Sequence, residues 1–105
     1  MVDITTTGKR TGEPRRIEIW LRPLADHYVI AGLPGPRDWF ANLKANPAFT
    51  VHLKKTVTTD LPAYATPVID PEEKRRVLET MEPRPESDAI DEWVANSPIV
   101  EVWIE

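Results

Sequence analysis

Proline is the residue that most limits how this chain can fold. There are 11 prolines among 105 residues, about twice the ordinary share of about 5%, and they are spread along the whole chain. Because proline removes a backbone donor and breaks the interior of a helix, this distribution excludes a long helical bundle or coiled coil. We expect many short elements in a single domain, residues 1–105, since this length is typical of one hydrophobic core.

Alternating apolar residues predict a sheet of five or six strands. The predicted strands are an entering strand at 1–8, a half-buried strand at 17–21, then 28–31, 49–53, a Thr-rich stretch at 56–69, and a central apolar strand at 99–104. Pro62 and Pro67 restrict the Thr-rich stretch to an edge or bulged strand. We expect the second and third strands to form a hairpin, and the first and last strands to be able to pair and close a barrel.

Three short helices complete the predicted architecture. They lie at 37–46, from the capping pair Asp70-Pro71 to Pro83, and at 87–95 with Ser87 as the cap. The first rests on helical spacing of apolar residues, and the second on a capping Asp with Pro at the first helical position. Antiparallel strands with late helices indicate an α+β fold, a mainly antiparallel β-barrel of about six strands with short peripheral helices.

Several kinds of site are excluded or disfavoured by the residues present. The chain has no Cys, so it has no disulfide, thiolate nucleophile, iron–sulfur cluster or Cys-type zinc site. His27 and His52 lack ligand spacing, so each is predicted to be a turn or sheet-face residue, and no metal site is expected. Ser87 and Ser97 do not lie in a nucleophile elbow, which disfavours a serine hydrolase. The acidic residues of the late helices are interpreted as solvated faces.

Charge and hydropathy limit the expected partners. Residues 1–55 carry nine Lys or Arg against five Asp or Glu, whereas residues 56–105 carry four against twelve. The first half is therefore expected to face an anion, and the net charge of −4 favours a small anionic molecule over nucleic acid. No apolar run approaches the about 18 residues of a membrane span, and the first residues lack a signal-peptide pattern. We expect a soluble, cytoplasmic protein without a membrane partner.

Two segments are candidates for ligand binding. The basic turn, residues 8–16, places four Lys or Arg between two strands, bounded by Gly and Pro, where they could hold a phosphate. A solvated hairpin tip is an equally good interpretation of this pattern. The second segment is a Gly-Pro loop at 32–36 that enters the first helix, where Trp39 or Phe40 could form a wall for a flat heterocycle or simply be core. Both segments follow strands expected to be neighbours in the sheet.

Taken in this order, the two segments resemble the deazaflavin-dependent nitroreductase family. Residues 6–15, Thr-Thr-Gly-Lys-Arg-Thr-Gly-Glu-Pro-Arg, match its T-T-G-R-K-[ST]-G-x-P-R, and residues 38–47 match its W-[YF]-x-N-L-x-A-N-P. The likeness extends from about residue 4 to the last strand. It implies a split β-barrel related to flavin-binding oxidoreductases, with the deazaflavin coenzyme F420 as hydride carrier and FMN as the weaker alternative.

The resemblance also implies positions for the cofactor. The phosphate motif of the family falls on Lys9, Arg10, Thr11, Gly12, Pro14 and Arg15. The family's loop beside the deazaflavin ring falls on Ile30, Ala31, Gly32 and Leu33. The helix start that borders the cofactor falls on Asp38, Trp39, Phe40 and Asn42. Three departures stand out. The order Lys9-Arg10 is the reverse of the family's, Leu33 stands where a cation is usual, and residues 81–93 contain none of the tyrosines that line the nitroreductase substrate pocket.

We expect an oxidoreductase in which reduced F420 delivers hydride to a small unsaturated or electron-poor acceptor. The cofactor performs the redox step, so the protein needs only to hold and orient it, and no catalytic side chain is assigned. The main alternative is a non-catalytic protein of the same fold that binds a flavin, a deazaflavin or haem. A nucleic-acid-binding barrel is disfavoured by the net charge. The expected partners are a small-molecule substrate and, as an open alternative to a monomer, a second copy in a homodimer.

Overall fold

The computed structural model describes residues 1–54, 57–81 and 84–105. The elements in chain order are β1 (Val2–Thr7), β2 (Pro14–Ile19), β3 (Arg22–Leu24), β4 (His27–Ala31), α1 (Asp38–Ala45), β5 (Ala48–Lys54), β6 (Thr58–Pro67), α2 (Pro71–Thr80), α3 (Ile90–Asn96) and β7 (Ile99–Ile104). The strands form one sheet in the order β2-β1-β5-β6-β7-β4-β3, and each neighbouring pair is antiparallel. The α+β class, the antiparallel sheet and the short helices are confirmed.

The sheet is open, and its edges are β2 and β3. Within the described ranges β1 and β7 do not pair, because β5 and β6 lie between them. The sheet has seven strands rather than about six, since the strand predicted at 17–21 ends at Ile19 and a new strand begins at Arg22. Pro23 lies in this extra strand at the sheet edge, where a missing backbone donor is tolerated.

The predicted hairpin has the wrong partners. β2 pairs with β1 across the basic turn, with Thr7 opposite Pro14, and β3 pairs with β4, with Leu24 opposite His27. Ala25, with a φ of 54°, adopts the left-handed conformation that this tight turn uses. The interruption after Ile19 therefore separates β2 from β3 and places them at opposite edges of the sheet.

β6 is an interior strand, so its prediction as an edge or bulged strand is wrong. It pairs with β5 on one side and with β7 on the other. The two backbone polar groups of a residue in an antiparallel strand point toward the same neighbour, and the carbonyl of Pro62 accepts from the Glu105 N–H at 3.0 Å on the β7 side. The donor that Pro62 lacks therefore falls where β7 ends, and Pro67 is the last residue of β6.

Apolar side chains form a core on each face of the sheet. Successive residues of β4 and β7 alternate between them: Ile30 and Val100 lie in the first core, and Val29 and Ile99 in the second. α1 covers the first core and lies against β1 and β6. α2 and α3 cover the second core. This arrangement places α1 alone, on one face, beside the connection between β1 and β2.

The helix predictions are confirmed in position but not in every cap. The Asp70 carboxylate accepts from the Glu73 N–H at 3.1 Å, so the predicted start of α2 is correct, while its predicted stop at Pro83 lies outside the described residues. α3 is capped by Ala89 without a side-chain bond, so Ser87 is not its cap. In the described ranges no helix is both long and apolar enough to span a membrane.

Candidate cofactor-binding site

The connection between β1 and β2 is a closed turn held by its own backbone. The Gly8 N–H donates to the Glu13 carbonyl at 2.8 Å, and the Gly12 N–H donates to the Gly8 carbonyl at 3.0 Å. Gly12 has a φ of 72°, a conformation that other residues adopt at a cost. A Cβ on Gly8 would lie 3.1 Å from both the Glu13 carbonyl oxygen and Thr11 Oγ1. The two glycines of the basic turn therefore fix its shape.

Asn42 joins α1 to this turn. Its side chain is almost fully buried, and its Oδ1 accepts from the backbone N–H of Lys9 at 2.9 Å. Its Nδ2 donates to Thr6 Oγ1 on β1 in a weaker bond of 3.4 Å. One amide thus holds a helix, a strand and a turn in a fixed relation, because each of its two polar atoms binds a different element.

The space between the basic turn and α1 is a cleft of about 580 Å³, which we call the first cleft. It is lined by Thr6, Gly8, Lys9, Arg10, Thr11, Arg15, Ile17, Asp38, Trp39, Ala41 and Asn42. Its volume lies within the about 300–1,000 Å³ common for small-molecule sites. Both sequence segments that carry the family resemblance contribute to it, although they are 22 or more residues apart along the chain.

The cations of the first cleft have no acidic partner within the described part of the chain. Lys9, Arg10 and Arg15 form no ion pair there, whereas Arg16 binds Asp3 at 3.0 Å. The hydrogen bonds of Lys54 and then Arg16 to Asp3 hold the pKa of that carboxyl below its usual range. The basic turn therefore divides into one cation used by the fold and three that remain available to an anion.

The start of α1 adds backbone donors to the same wall. Arg37, the residue before the helix, makes no side-chain cap bond, and the first N–H groups of any α-helix lack partners within it. Asp38 and Trp39 of this first turn line the cleft. The helix dipole favours an anion at this end, although the Asp38 carboxylate partly offsets that field.

Trp39 contributes an edge to the cleft rather than an open face. Only 8% of it is exposed, and its ring contacts Phe40 edge to face at 6.0 Å. A Cβ on Gly32 would lie 3.1 Å from Trp39 Cζ2, so the Gly-Pro loop packs directly against this ring. The sequence analysis left open whether Trp39 forms a wall for a ligand or packs in the core. Core packing accounts for most of the Trp39 surface, so a ligand can contact only the exposed margin of the ring.

Almost the whole sequence of this chain matches a known protein family. The model of the family named F420H(2)-dependent quinone reductase matches residues 1–100. The chain belongs to this family. The resemblance drawn from the two motifs is thereby confirmed for F420-dependent oxidoreductases, with quinone reductase as the family's name.

Solved structures show the same fold at low sequence identity. The conserved hypothetical protein Rv2991 from Mycobacterium tuberculosis aligns with a TM-score of 0.68 and 17% identity, over 99% of this chain and 72% of that one. A Bacteroides thetaiotaomicron protein, titled as a candidate 5-nitroimidazole antibiotic resistance protein, aligns with a TM-score of 0.69 and 16% identity, over 99% and 72%. A structure titled as a domain-swapped dimer aligns with a TM-score of 0.57 and 22% identity, over 97% and 78%.

The structure brings together half of the site residues expected from the resemblance to the deazaflavin-dependent nitroreductase family. Those in the first cleft are Lys9, Arg10, Thr11, Arg15, Asp38, Trp39 and Asn42; those outside it are Gly12, Pro14, Ile30, Ala31, Gly32, Leu33 and Phe40. β4 is separated from β1 by three strands, so the expectation that the two segments follow neighbouring strands is wrong. They meet because α1 crosses the sheet toward the basic turn.

Four cleft residues were not among the individually assigned cofactor positions: Thr6, Gly8, Ile17 and Ala41. Three of them flank or belong to the motif segments, so the signal that could have identified them was their position beside predicted residues. Ile17 is different, since its alternation within β2 predicts only which face it occupies. Its place in the cleft depends on α1, which the strand pattern does not locate.

The two histidines lie on the sheet face, as predicted. The His27 ring stacks on Trp103 with 3.9 Å between ring centroids and bonds to Asp26 and Glu101. Burial of the ring opposes its protonation, but the bonds to these two carboxylates outweigh burial and raise the pKa of His27 above 6.5. The His52 ring lies between Thr5 Oγ1 and Asp60 Oδ1, each at 2.7 Å. Neither histidine lines the first cleft.

Proposed function

We propose that this protein is a reductase that uses reduced F420 to transfer hydride to a small unsaturated or electron-poor acceptor. The observation that carries the proposal is the set of three cations in the first cleft, Lys9, Arg10 and Arg15, which have no ion-pair partner in the described part of the chain. Such cations are expected to bind the phosphate and carboxylates of an anionic cofactor tail. The family name supports F420 as that cofactor.

The residues of the first cleft fit the chemistry of this cofactor. Guanidinium groups match the geometry of phosphate and carboxylate oxygens, and the Thr11 hydroxyl, which accepts from the Glu13 N–H at 3.2 Å, keeps its own hydrogen for a ligand oxygen. Asp38 and Trp39 of the first turn of α1 line the same cleft. The exposed margin of Trp39 offers an apolar contact for a flat ring. Leu33, which is 64% exposed and lies outside the cleft, is given no role.

In the proposed mechanism, bound F420 supplies the hydride. Lys9, Arg10 and Arg15 bind the anionic tail and fix where the rest of the cofactor lies. Asn42 keeps α1 beside the turn, so that the cations that would hold the tail keep a fixed position relative to the helix. The walls of the cleft exclude part of the surrounding water. We assign no proton donor to any side chain.

The test is a titration of the purified protein with F420, FMN and haemin, followed by the quenching of tryptophan fluorescence. We expect F420 to bind most tightly, and Arg15→Ala to weaken F420 binding about tenfold, because a hydrogen bond to a charged group is worth about 1.5–3 kcal/mol. Arg16→Ala is the matched control, since Arg16 is adjacent in sequence but is paired with Asp3. Equal F420 affinity of the parent and Arg15→Ala at low salt would show that the cleft does not hold the tail.

A second titration separates a reductase from a non-catalytic binding protein. Reduced F420 is mixed with the protein and a panel of quinones, nitroaromatics and enones, and its oxidation is followed by absorbance. Turnover that depends on Arg15 supports the reductase. Tight F420 binding without turnover of any acceptor would favour a storage or carrier protein of the same fold.

We also propose that two copies associate through the exposed sheet face. Tyr64 and Trp103 are directly opposite each other on β6 and β7, and 48% and 42% of their surfaces are exposed. Exposed aromatic side chains are enriched in protein interfaces, and one protein of the same fold is titled as a domain-swapped dimer. Light scattering should give the mass of a dimer for the parent and of a monomer for Trp103→Glu; a monomeric parent would refute this proposal.

A further inference from the structure

A second cleft, of about 440 Å³, opens on the other side of α1. It is lined by Gly35, Pro36, Arg37, Phe40, Ala41, Lys44, Val68, Ile69, Lys74, Ala95, Asn96, Ser97 and Pro98. Ala41 lines both clefts, so it forms the ridge between them. The second cleft therefore adjoins the proposed cofactor site and shares only α1 with it.

The charged residues that line the second cleft, among those the structure describes, are all positive. They are Arg37, Lys44 and Lys74, with no Asp or Glu beside them in the described lining, in a chain whose net charge is −4. None of the three forms an ion pair within the described residues. Three cations collected in one concave surface repel one another, and an anion bound among them would relieve that repulsion.

The contacts of these cations leave donors for a ligand. Arg37 Nη1 donates to its neighbour's carbonyl at 2.8 Å, and Lys74 Nζ donates to the Val94 carbonyl at 3.1 Å. Lys44 Nζ lies 5.4 Å from the centre of the Phe40 ring. A guanidinium has five N–H groups and an ammonium three, so each side chain keeps unused donors. Burial lowers the pKa of Lys74, which agrees with a cation that has no counter-charge nearby.

Ser97 provides an independent sign of a ligand. Only 1% of it is exposed, and its Oγ has no hydrogen-bond partner among the described residues. A buried hydroxyl without a partner is unfavourable, and Ser97 lines the second cleft. Apolar surface lies beside it, from Phe40, Val68 and Ile69. The cleft thus combines cations, an unpaired hydroxyl and an apolar wall.

We propose that the second cleft binds a small molecule with an anionic group and a flat apolar body. The anionic group lies among Arg37, Lys44 and Lys74, and the apolar body contacts Phe40. This binding does not depend on the function proposed for the first cleft.

The test compares two quinones with the same ring system, 1,4-naphthoquinone-2-sulfonate and neutral menadione. Calorimetric titration without F420 is expected to show the sulfonate binding at least tenfold more tightly than menadione. The double variant Arg37→Ala/Lys44→Ala should lose this difference and leave menadione binding unchanged. Arg76→Ala/Arg84→Ala is the matched control, because it removes the same charge from exposed positions outside both clefts. Equal binding of the two quinones to the parent would overturn the proposal.

Two further measurements locate the sulfonate and separate the two proposals. F420 should not displace the bound sulfonate. Arg15→Ala should weaken the binding of F420 but not the binding of the sulfonate. Displacement of the sulfonate by F420 would place the anion in the first cleft and refute the second site. Tight sulfonate binding in a protein that does not bind F420 would refute the proposed function, while the anion site would stand.

Discussion

Replacing Asn42 with Ala tests whether one buried amide holds the first cleft together. The variant removes the 2.9 Å bond to the Lys9 N–H and the 3.4 Å bond to Thr6 Oγ1. Losing a buried hydrogen bond and leaving its donor unpaired costs about 2 kcal/mol. Alanine returns about 0.5 kcal/mol because it is the better helix former. We therefore expect the free energy of unfolding to fall by about 1.5 kcal/mol and the Tm to fall by about 5–10 °C.

The assay is urea unfolding followed by tryptophan fluorescence, together with the F420 titration. Asn42→Asp is the informative control, because it keeps an oxygen for the Lys9 N–H but places a carboxylate beside the three free cations. We expect the free energy of unfolding to fall less for Asn42→Asp than for Asn42→Ala. We nevertheless expect Asn42→Asp to bind F420 more weakly than Asn42→Ala does. If Asn42→Ala unfolds within about 0.5 kcal/mol of the parent, a difference typical of a neutral surface change, the amide is not what holds α1 to the basic turn.

Three other outcomes are expected. Asp70→Ala should lower the free energy of unfolding by about 1 kcal/mol, because it removes the cap of α2. Chemical denaturation measures this change. An unchanged midpoint of the denaturation curve would show that the cap is dispensable. The raised pKa of His27 means that its bonds to the two carboxylates stabilise the folded state at pH values below about 6.5, and that this contribution is lost as the pH rises through the folded-state pKa. In a plot of the free energy of unfolding against pH, His27→Gln should remove this fall. A parent protein that shows no such fall would be contrary evidence. F420 affinity should decrease with added salt, since the cations that bind it lie near the surface; binding that is insensitive to salt would argue for a largely apolar mode.

The sequence predicted local structure better than pairing. Period-two alternation and the Asp70-Pro71 start depend on neighbouring residues, so the strands and α2 were placed within a few residues. The partner of each strand depends on contacts between distant residues. Pro62 illustrates the limit: it suggested an edge strand, but its missing donor falls where β7 ends, a position known only once the sheet is assembled.

The candidate site shows the same division. The basic turn was identified because Gly, Pro and four cations cluster within nine residues. Which cations are available was not predictable, since it depends on Arg16 meeting Asp3 across the β1–β2 pair. The loop residues Ile30–Leu33 were assigned from the family motif alone, and the structure places Ile30 in the core. The second cleft had no sequence signal, because its cations come from α1, with the residue that precedes it, and from α2, two helices that are far apart along the chain.

We propose that the basic turn and the start of α1 hold the anionic part of F420. Amide chemical-shift mapping of the ¹⁵N-labelled protein during an F420 titration tests this proposal most directly. We expect the largest shifts at Lys9, Arg10, Thr11 and Trp39, and we expect Arg15→Ala to reduce them at matched F420 concentration. Shifts confined to residues outside the first cleft, with those four amides unmoved at saturation, would contradict it.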